Sequence, residues 1–305
     1  MMDYSKLDRV IGETGCACLI DEPMSRHTTF RIGGTADWFL TVESEEQLIA
    51  LLRTLENENI PWQVLGNGSN LLVSDKGIRG AVLTLGGEFA EIELLPDGKT
   101  VRAGAAAPLS SLCAFARDKG LSGLEFAWGI PGSVGGAAYM NAGAYGGEMK
   151  DAIRSVTHLT ADGEIVTLPA ERLELSYRHS RYSGKRDIIL KAEYGLEPGD
   201  GSEIAGKMDE LISRRKEKQP YDMPSAGSVF KRPVGGYAAA LIEECGLKGK
   251  KIGGAQVSPK HAGFIVNTGG ATCEDVLALI GEIQKTVKEQ TGTELECEVR
   301  VIGEL

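Results

Sequence analysis

The stretch Trp62-Gln63-Val64-Leu65-Gly66-Asn67-Gly68-Ser69-Asn70-Leu71-Leu72-Val73 sets a loop of small residues between two apolar runs. Both runs predict strands, so the glycines join strand to strand. Such a loop offers backbone N–H groups that no side chain covers, together with short hydroxyl and amide donors, and this chemistry suits a diphosphate. The third glycine of a dinucleotide-binding fingerprint is missing and a strand follows where a helix would begin, which disfavours a Rossmann dehydrogenase.

A second glycine-rich stretch covers residues 129–147. Ile, Pro, Val, Tyr and Met are interleaved with its glycines, which distinguishes it from a flexible linker. One interpretation is a set of tight turns that binds no ligand. Two such loops on a β-rich scaffold favour another, in which backbone approaches a long phosphate-bearing cofactor from two sides.

The regular elements indicate a mixed α and β chain. Helices are predicted at three places, each with a capping or stop residue: 44–55, 108–119 and 272–292. Strands are predicted at residues 81–85, 91–94, 100–103, 155–160, 164–168, 188–194 and 294–302, with a hairpin signal at Asp162-Gly163. The turn-rich segment after Leu196 and the charged helix behind it indicate the main domain boundary.

Composition restricts the partners and the compartment. Lys and Arg total 33 against 43 Asp and Glu, a formal net charge of -10 that disfavours binding to nucleic acid or to an anionic membrane. Residues 1–10 are polar and no apolar run reaches membrane length, so we expect no membrane insertion and a cytoplasmic location. The six cysteines lack CxxC pairs and the four histidines do not cluster, so we expect free thiols and no metal site.

Three segments carry candidate chemical groups. In residues 176–182, Arg178 could bind both oxygens of a carboxylate with its planar fork, although a solvated charged loop is the alternative. Ser228 lies among small residues without a GxSxG elbow or neighbouring histidines, so the alternative is a plain turn residue. Glu296 and Glu298 would share one face of a strand, which is either inward-facing or exposed.

Six segments, in order along the chain, together resemble the UDP-N-acetylenolpyruvoylglucosamine reductase (MurB) family. They are residues 27–34, 65–71, 129–147, 177–178, 226–231 and 295–300. The resemblance extends from about Arg26 to Gly303, and the ordered combination is more specific than any single segment. The moderate length and the spacing of Tyr177-Arg178 and Arg181-Tyr182 resemble the shorter type II of the family.

The resemblance implies an α+β FAD-binding fold of the vanillyl-alcohol-oxidase (PCMH) type. Residues 1–88 and 89–198 would form two subdomains that bind FAD without a covalent bond. Residues 199–305 would form a substrate-binding domain, whose last strand can return to the first subdomain.

The implied reaction is the NADPH-dependent reduction of UDP-N-acetylglucosamine enolpyruvate to UDP-N-acetylmuramate, a step of peptidoglycan precursor synthesis with consequences for cell shape and division. Hydride passes from FAD N5 to the terminal enolpyruvyl carbon. In the family, the residues that match Arg178 and Glu298 polarise the substrate carboxylate, and the one that matches Ser228 donates a proton. The alternatives are another FAD oxidoreductase or oxidase on the same fold, and a nucleotide-sugar-binding protein that lacks the chemistry.

The resemblance and the two glycine loops also predict the residues that bind the ligands. Tyr177, Lys231 and His261 are expected to contact the nucleotide sugar. The residues expected to contact FAD are Gly66, Asn67, Gly68, Ser69, Asn70, Gly132, Ser133, Gly135, Gly136, Asn141, Gly143, Tyr145 and Gly146.

Overall fold

The computed structural model describes residues 5–305. Seven α-helices lie within this range: α1 (Ser5–Thr14), α2 (Glu45–Asn57), α3 (Leu109–Asp118), α4 (Val134–Met140), α5 (Gly201–Lys218), α6 (Ala238–Glu244) and α7 (Cys273–Thr291). None of the helices in this part of the chain is both long and apolar enough to cross a membrane.

The same residues contain nineteen strands, most of them short. The strands are β1 (Ala17–Pro23), β2 (Thr35–Val42), β3 (Trp62–Leu65), β4 (Leu71–Val73), β5 (Ile78–Leu85), β6 (Ile92–Leu94), β7 (Thr100–Gly104), β8 (Leu121–Ser122), β9 (Gly143–Ala144), β10 (Gly147–Glu148), β11 (Ile153–Leu159), β12 (Ile165–Pro169), β13 (Ile188–Gly195), β14 (Glu197–Pro198), β15 (Ser225–Ser228), β16 (Lys251–Ile252), β17 (Ala255–Val257), β18 (Phe264–Asn267) and β19 (Arg300–Ile302).

The first of two compact units comprises residues up to Leu19, Phe39–Gly66 and Ala81–Arg214. Its main sheet has the order β12-β11-β13-β7-β6, and every neighbouring pair is antiparallel. The hairpin between β11 and β12 turns at Asp162-Gly163, as the sequence predicts. The helices α3 and α4 contact each other, and α4 contacts β7 and β13, so this apolar core carries the second glycine-rich loop.

The second unit comprises Ile20–Trp38, Asn67–Gly80 and Arg215–Leu305. Its sheet has the order β15-β18-β17-β16, in which neighbouring strands are antiparallel, and α7 packs against β16 and β17. The last strand, β19, pairs in parallel with β4. Early and late parts of the chain thus share one core.

A further sheet has the order β1-β2-β5-β3. The strands β1, β2 and β5 each contain residues of both units, and β3 runs parallel to β5. The chain therefore leaves one unit and enters the other in the middle of each of these three strands.

Local capping explains where the two best-predicted helices begin and end. Ser44 accepts a hydrogen bond from the Gln47 N–H at the start of α2. At the start of α7, Thr272 and Asp275 form a reciprocal capping box, and Gly292 ends the helix with φ 73°. These predicted caps are confirmed.

The predicted strand over residues 294–302 is wrong in its length. Only Arg300–Ile302 forms a strand, and Cys297 makes an isolated bridge with Phe230. The backbone of residues 296–298 pairs with residues 229–231 through single bonds and not through a continuous ladder. An alternating apolar pattern indicates which side chains are buried. It does not indicate how many residues form hydrogen bonds with a neighbouring strand.

Candidate active site

The two glycine loops meet in the first unit, where Gly66 faces Ser133. A Cβ atom on Gly66 would lie 2.8 Å from Ser133 Oγ, so a larger residue would displace this hydroxyl. Ser133 caps α4 by accepting a hydrogen bond from the Gly136 N–H. Among residues 5–305, no group accepts a hydrogen bond from the backbone N–H of Gly66 or Ser133. The two loops thus present unused donors close together, which suits an anionic diphosphate.

In the second unit, residues 67–70 are held by their neighbours in that unit. A Cβ atom on Gly68, whose φ is 60°, would lie 2.2 Å from the His27 carbonyl oxygen. The Asn70 side chain donates to the Glu298 carbonyl oxygen at 3.0 Å. Asn67 is exposed and Ser69 is half-buried. The amide of Asn70 is therefore used within the protein, whereas Asn67 remains accessible to a ligand.

The remaining part of the second loop forms the hairpin β9–β10, with Tyr145 and Gly146 at its tip. Both tip residues have positive φ, and Tyr145 is 39% exposed. The Arg214 guanidinium lies 5.2 Å from the centre of the Tyr145 ring. Of the remaining predicted cofactor residues, Gly135 packs against Ala105.

Asn141 is buried, and its side chain forms hydrogen bonds within the protein. It donates to Glu148 Oε2 at 2.9 Å and to the Ser176 carbonyl oxygen at 3.0 Å, and it accepts from the Lys150 N–H at 2.9 Å. Its exposed fraction is 1%. The Asn141 amide is therefore occupied, and a cofactor contact would have to use its backbone.

Arg178 lies in a tight turn of the first unit that is closed by two backbone hydrogen bonds of 3.1 Å between Ser176 and His179. Its φ is 55°, a left-handed conformation that non-glycine residues rarely adopt. Tyr177 is 47% exposed, and the Arg178 guanidinium lies 5.4 Å from the centre of its ring. The turn therefore carries both residues at its tip, with Tyr177 exposed and Arg178 half-buried, and residues held in this conformation are often found at functional sites.

Ser228 lies at the end of β15, directly after a β-bulge. Ser225 pairs with Val266 and Ser228 with Phe264, so β15 contains one extra residue. Gly227 supplies the φ of 76° that this bulge needs. The Ser228 hydroxyl lies 3.5 Å from the Gly263 carbonyl oxygen, which is the outer limit of a hydrogen bond, so this contact does not hold it firmly.

Glu298 belongs to the segment that pairs with the residues following Ser228. The Glu298 N–H donates to the Val229 carbonyl oxygen at 2.7 Å, and the Lys231 N–H donates to the Glu296 carbonyl oxygen at 2.8 Å. The Lys231 ammonium forms an ion pair with the exposed Glu296 carboxylate. Two of the three predicted catalytic segments are thus neighbours in the second unit, while Arg178 belongs to the first.

His261 lies in the loop between β17 and β18. Its Nδ1 accepts a hydrogen bond from the Gly263 N–H at 3.2 Å, so the neutral ring carries its proton on Nε2. Burial lowers the pKa of His261, which favours that neutral form. A Cβ atom on Gly263 would lie 3.2 Å from Ser228 Oγ and 3.1 Å from His261 Cε1. The sequence does not reveal this closeness, because the two residues are far apart along the chain.

Comparison with known families defines the class of the protein. Residues 36–169 match the FAD binding domain family, and residues 219–302 match the C-terminal domain of UDP-N-acetylenolpyruvoylglucosamine reductase. The chain is an FAD-dependent oxidoreductase, and the predicted α+β FAD-binding fold is confirmed.

Whole-chain relatives define the family. A UDP-N-acetylenolpyruvoylglucosamine reductase from Geobacillus thermodenitrificans is 48% identical, covering 99% of this chain and 97% of the relative. One from Caldanaerobacter subterraneus is 52% identical, covering 93% of each. The crystal structure of the Thermus caldophilus enzyme superposes with a TM-score of 0.80 at 38% identity, covering 94% of this chain and 98% of that one. The chain belongs to the UDP-N-acetylenolpyruvoylglucosamine reductase (MurB) family.

Membership of this family confirms three predictions. The protein is a reductase of peptidoglycan precursor synthesis, it uses FAD, and its length fits type II.

Proposed function

We propose that the protein reduces UDP-N-acetylglucosamine enolpyruvate to UDP-N-acetylmuramate, with NADPH as the electron donor and Ser228 as the proton donor. The observation that carries this proposal is the pairing of residues 229–231 with residues 296–298, because it supports a role for Ser228 and Glu298 in one site. A cytoplasmic location and a role in cell shape and division follow from the proposal.

The residues of the two loops fit a flavin dinucleotide. The free N–H groups of Gly66 and Ser133 suit the diphosphate, and the exposed Asn67 adds an amide donor. Gly68, Ser69, Asn70, Gly132, Gly135, Gly136, Gly143, Tyr145 and Gly146 complete the proposed FAD contacts. When it is bound without a covalent bond, FAD supplies a hydride from N5, which it has received from NADPH.

Arg178 and Glu298 are proposed to polarise the substrate carboxylate. The enolpyruvyl group is an α,β-unsaturated carboxylate, so hydride addition at its terminal carbon pushes electron density onto the carboxylate oxygens. Arg178 offers a fixed positive charge in planar geometry, and a protonated Glu298 would offer a hydrogen-bond donor. Groups already in position for this charge stabilise the transition state more than the bound substrate.

Ser228 is proposed to deliver the proton to the adjacent carbon. A hydroxyl is a weak acid in water, so this step requires tight positioning and exclusion of water. The bulge at Gly227 supports this role, since it interrupts the regular alternation of β15 directly before Ser228, and bulges often redirect a side chain at an active site. Tyr177, Lys231 and the Nε2–H of His261 are proposed to bind the nucleotide sugar.

NADPH and the nucleotide sugar are proposed to occupy one pocket in turn. The kinetics would then be ping-pong, with two half-reactions that can be followed separately. Kinetics that require a ternary complex would contradict this part of the proposal.

The proposal is tested by anaerobic half-reactions of the Ser228→Ala variant. We expect NADPH to reduce the bound flavin at the normal rate, and reoxidation by UDP-N-acetylglucosamine enolpyruvate to slow by about 10²- to 10⁴-fold. Stopped-flow absorbance of the flavin measures both rates. Ser225→Ala, the same change three residues earlier on β15, is the control that should leave both half-reactions unchanged.

Two outcomes would contradict the proposal. Equal slowing of both half-reactions would make Ser228 a structural residue. A wild-type flavin that stays reduced in the presence of the enolpyruvyl sugar would remove the proposed substrate. Oxygen consumption driven by an alcohol or a sugar, or flavin that remains attached to the denatured chain, would favour an oxidase on the same fold.

A further inference from the structure

The buried amide of Asn141 connects two parts of the proposed site in the first unit. One of its N–H groups reaches the Ser176 carbonyl oxygen, and Ser176 opens the turn that carries Arg178. The other reaches Glu148, which pairs with Gly143 at the base of the hairpin β9–β10. One side chain therefore ties the arginine turn to the hairpin of the second glycine loop.

Glu148 extends this connection to Arg178 itself. Its carboxylate lies 2.8 Å from the Lys150 ammonium, and it also accepts the bond from Asn141. Lys150 lowers the pKa of Glu148, and Asn141 and the positive charge of Arg178 contribute in the same direction. The carboxylate is therefore ionised and lies within electrostatic reach of the guanidinium.

The turn needs such support because its backbone is strained. A left-handed conformation at a non-glycine residue such as Arg178 costs about 1–2 kcal/mol and persists only when its surroundings impose it. Ser176 opens the turn and pairs with His179 across it, so a restraint on Ser176 acts at the base of the turn. The bond from Asn141 to Ser176 lies at that base.

Helix capping does not account for these bonds. Asn141 ends α4 with φ 42°, a position that favours asparagine or glycine. The cap uses its backbone N–H, which bonds to carbonyl oxygens of α4, whereas the three side-chain bonds reach outside the helix.

We propose that Asn141 is a positioning residue that fixes the direction of Arg178 toward the substrate carboxylate. This inference rests on the proposed function, since it takes Arg178 as the group that binds the carboxylate. On this proposal, the buried side-chain amide of Asn141 supports reduction of the substrate and is not needed to keep FAD bound.

The variant Asn141→Gly separates the side chain from the cap, because glycine adopts positive φ without strain. We expect the substrate half-reaction to slow by about 100-fold, since small displacements of a positioned group have effects of this size. Flavin reduction by NADPH should stay within about twofold of the wild-type rate. Asn59→Gly, the same change at an exposed asparagine with φ 53°, is the control and should change neither rate.

Binding at equilibrium provides a second measurement. UDP-N-acetylmuramate carries the carboxylate and UDP-N-acetylglucosamine lacks it. In calorimetric titrations of the holoenzyme, Asn141→Gly should weaken binding of the first about tenfold, the size of one charge-assisted contact, and leave the second unchanged. In the background of Arg178→Ala, the same change should have no further effect.

Several results would overturn the inference. Equal slowing of both half-reactions, equal weakening of both sugars, or effects that add to those of Arg178→Ala would show that Asn141 does not act through Arg178. Loss of FAD with a normal rate per bound flavin would assign the amide to the cofactor. If Asn141→Gly does not fold, Asn141→Asp keeps the size of the side chain, removes both N–H donors and should give the same pattern. A wild-type enzyme inactive on the enolpyruvyl sugar would instead refute the proposed function.

Discussion

At the scale of single residues, Tyr194 is a buried group whose polar atom is not used. It lies on β13 in the core of the first unit with an exposed fraction of 0%, and within the described residues its hydroxyl has no hydrogen-bond partner. Burial raises the pKa of this hydroxyl, so it stays protonated. A buried hydroxyl without a partner costs about 1–3 kcal/mol of stability.

We therefore expect Tyr194→Phe to raise the free energy of unfolding by about 1 kcal/mol. Chemical denaturation of the holoenzyme measures this change. Tyr182→Phe is the matched control, because Tyr182 is equally buried but its hydroxyl lies 3.2 Å from His158 Nδ1. Tyr182→Phe should lower the free energy of unfolding by about 1 kcal/mol. A loss of the same size in Tyr194→Phe would mean that the Tyr194 hydroxyl has a hydrogen-bond partner.

The sequence predicts roles for Arg178, Ser228 and Glu298 through the resemblance of their short motifs to one family. It did not identify how they are supported. In the sequence, Asn141 is a polar residue within a glycine-rich loop, and this context predicts a cofactor contact. Its actual partners are Ser176 and Glu148, and the first of these is distant in sequence and invisible to local patterns.

At the scale of elements, the bulge in β15 determines where Ser228 lies. A Cβ atom on Gly227 would have no neighbouring atom within 4 Å. An alanine at this position is therefore unfavourable only because of the positive φ of the backbone. We expect Gly227→Ala to cost about 1–2 kcal/mol of stability through its positive φ. Relaxation of the bulge would also turn Ser228 away, and the substrate half-reaction should slow by about tenfold or more.

The control for this prediction is Gly246→Ala. Gly246 has φ 71° at the end of α6 and an equally open Cβ position, so it carries the same backbone penalty in the same unit. Stopped-flow rates and unfolding curves of the two variants should show equal losses of stability, with slower reoxidation of the flavin only for Gly227→Ala. Similar rates in both variants would mean that the bulge does not position Ser228.

Helix ends with local signals were predictable, whereas the bulge in β15 and the length of the final strand were not. Ser44, Thr272 and Gly292 mark helix ends through bonds to their own helices, and these positions agree with the structure. The bulge depends on the register between β15 and β18, which local sequence does not encode. For the same reason the final strand is shorter than its alternating pattern suggests.

At the scale of the whole molecule, the two compact units are each built from segments that are not consecutive in the chain. Residues 199–305 are proposed to form the substrate-binding domain, yet the core that holds Ala226 and Val299 also contains Phe30, Ile32 and Leu72. Composition shifts along a chain can mark a linker such as the one after Leu196. They cannot show that early segments return to complete a later core.

The fragment 199–305 should therefore not fold by itself. Without the N-terminal segments it loses Phe30, Ile32 and Leu72 from its core, each of which contributes about 1.5–3 kcal/mol by burial. The strand β19 loses its partner β4, and α7 loses Asp75, whose carboxylate accepts the N–H groups at the start of this helix. Circular dichroism during heating should show no cooperative transition for the fragment and a cooperative one for the full chain. Addition of residues 1–198 in trans should restore the transition if these missing contacts are the cause, whereas cooperative unfolding of 199–305 alone would establish it as an autonomous domain.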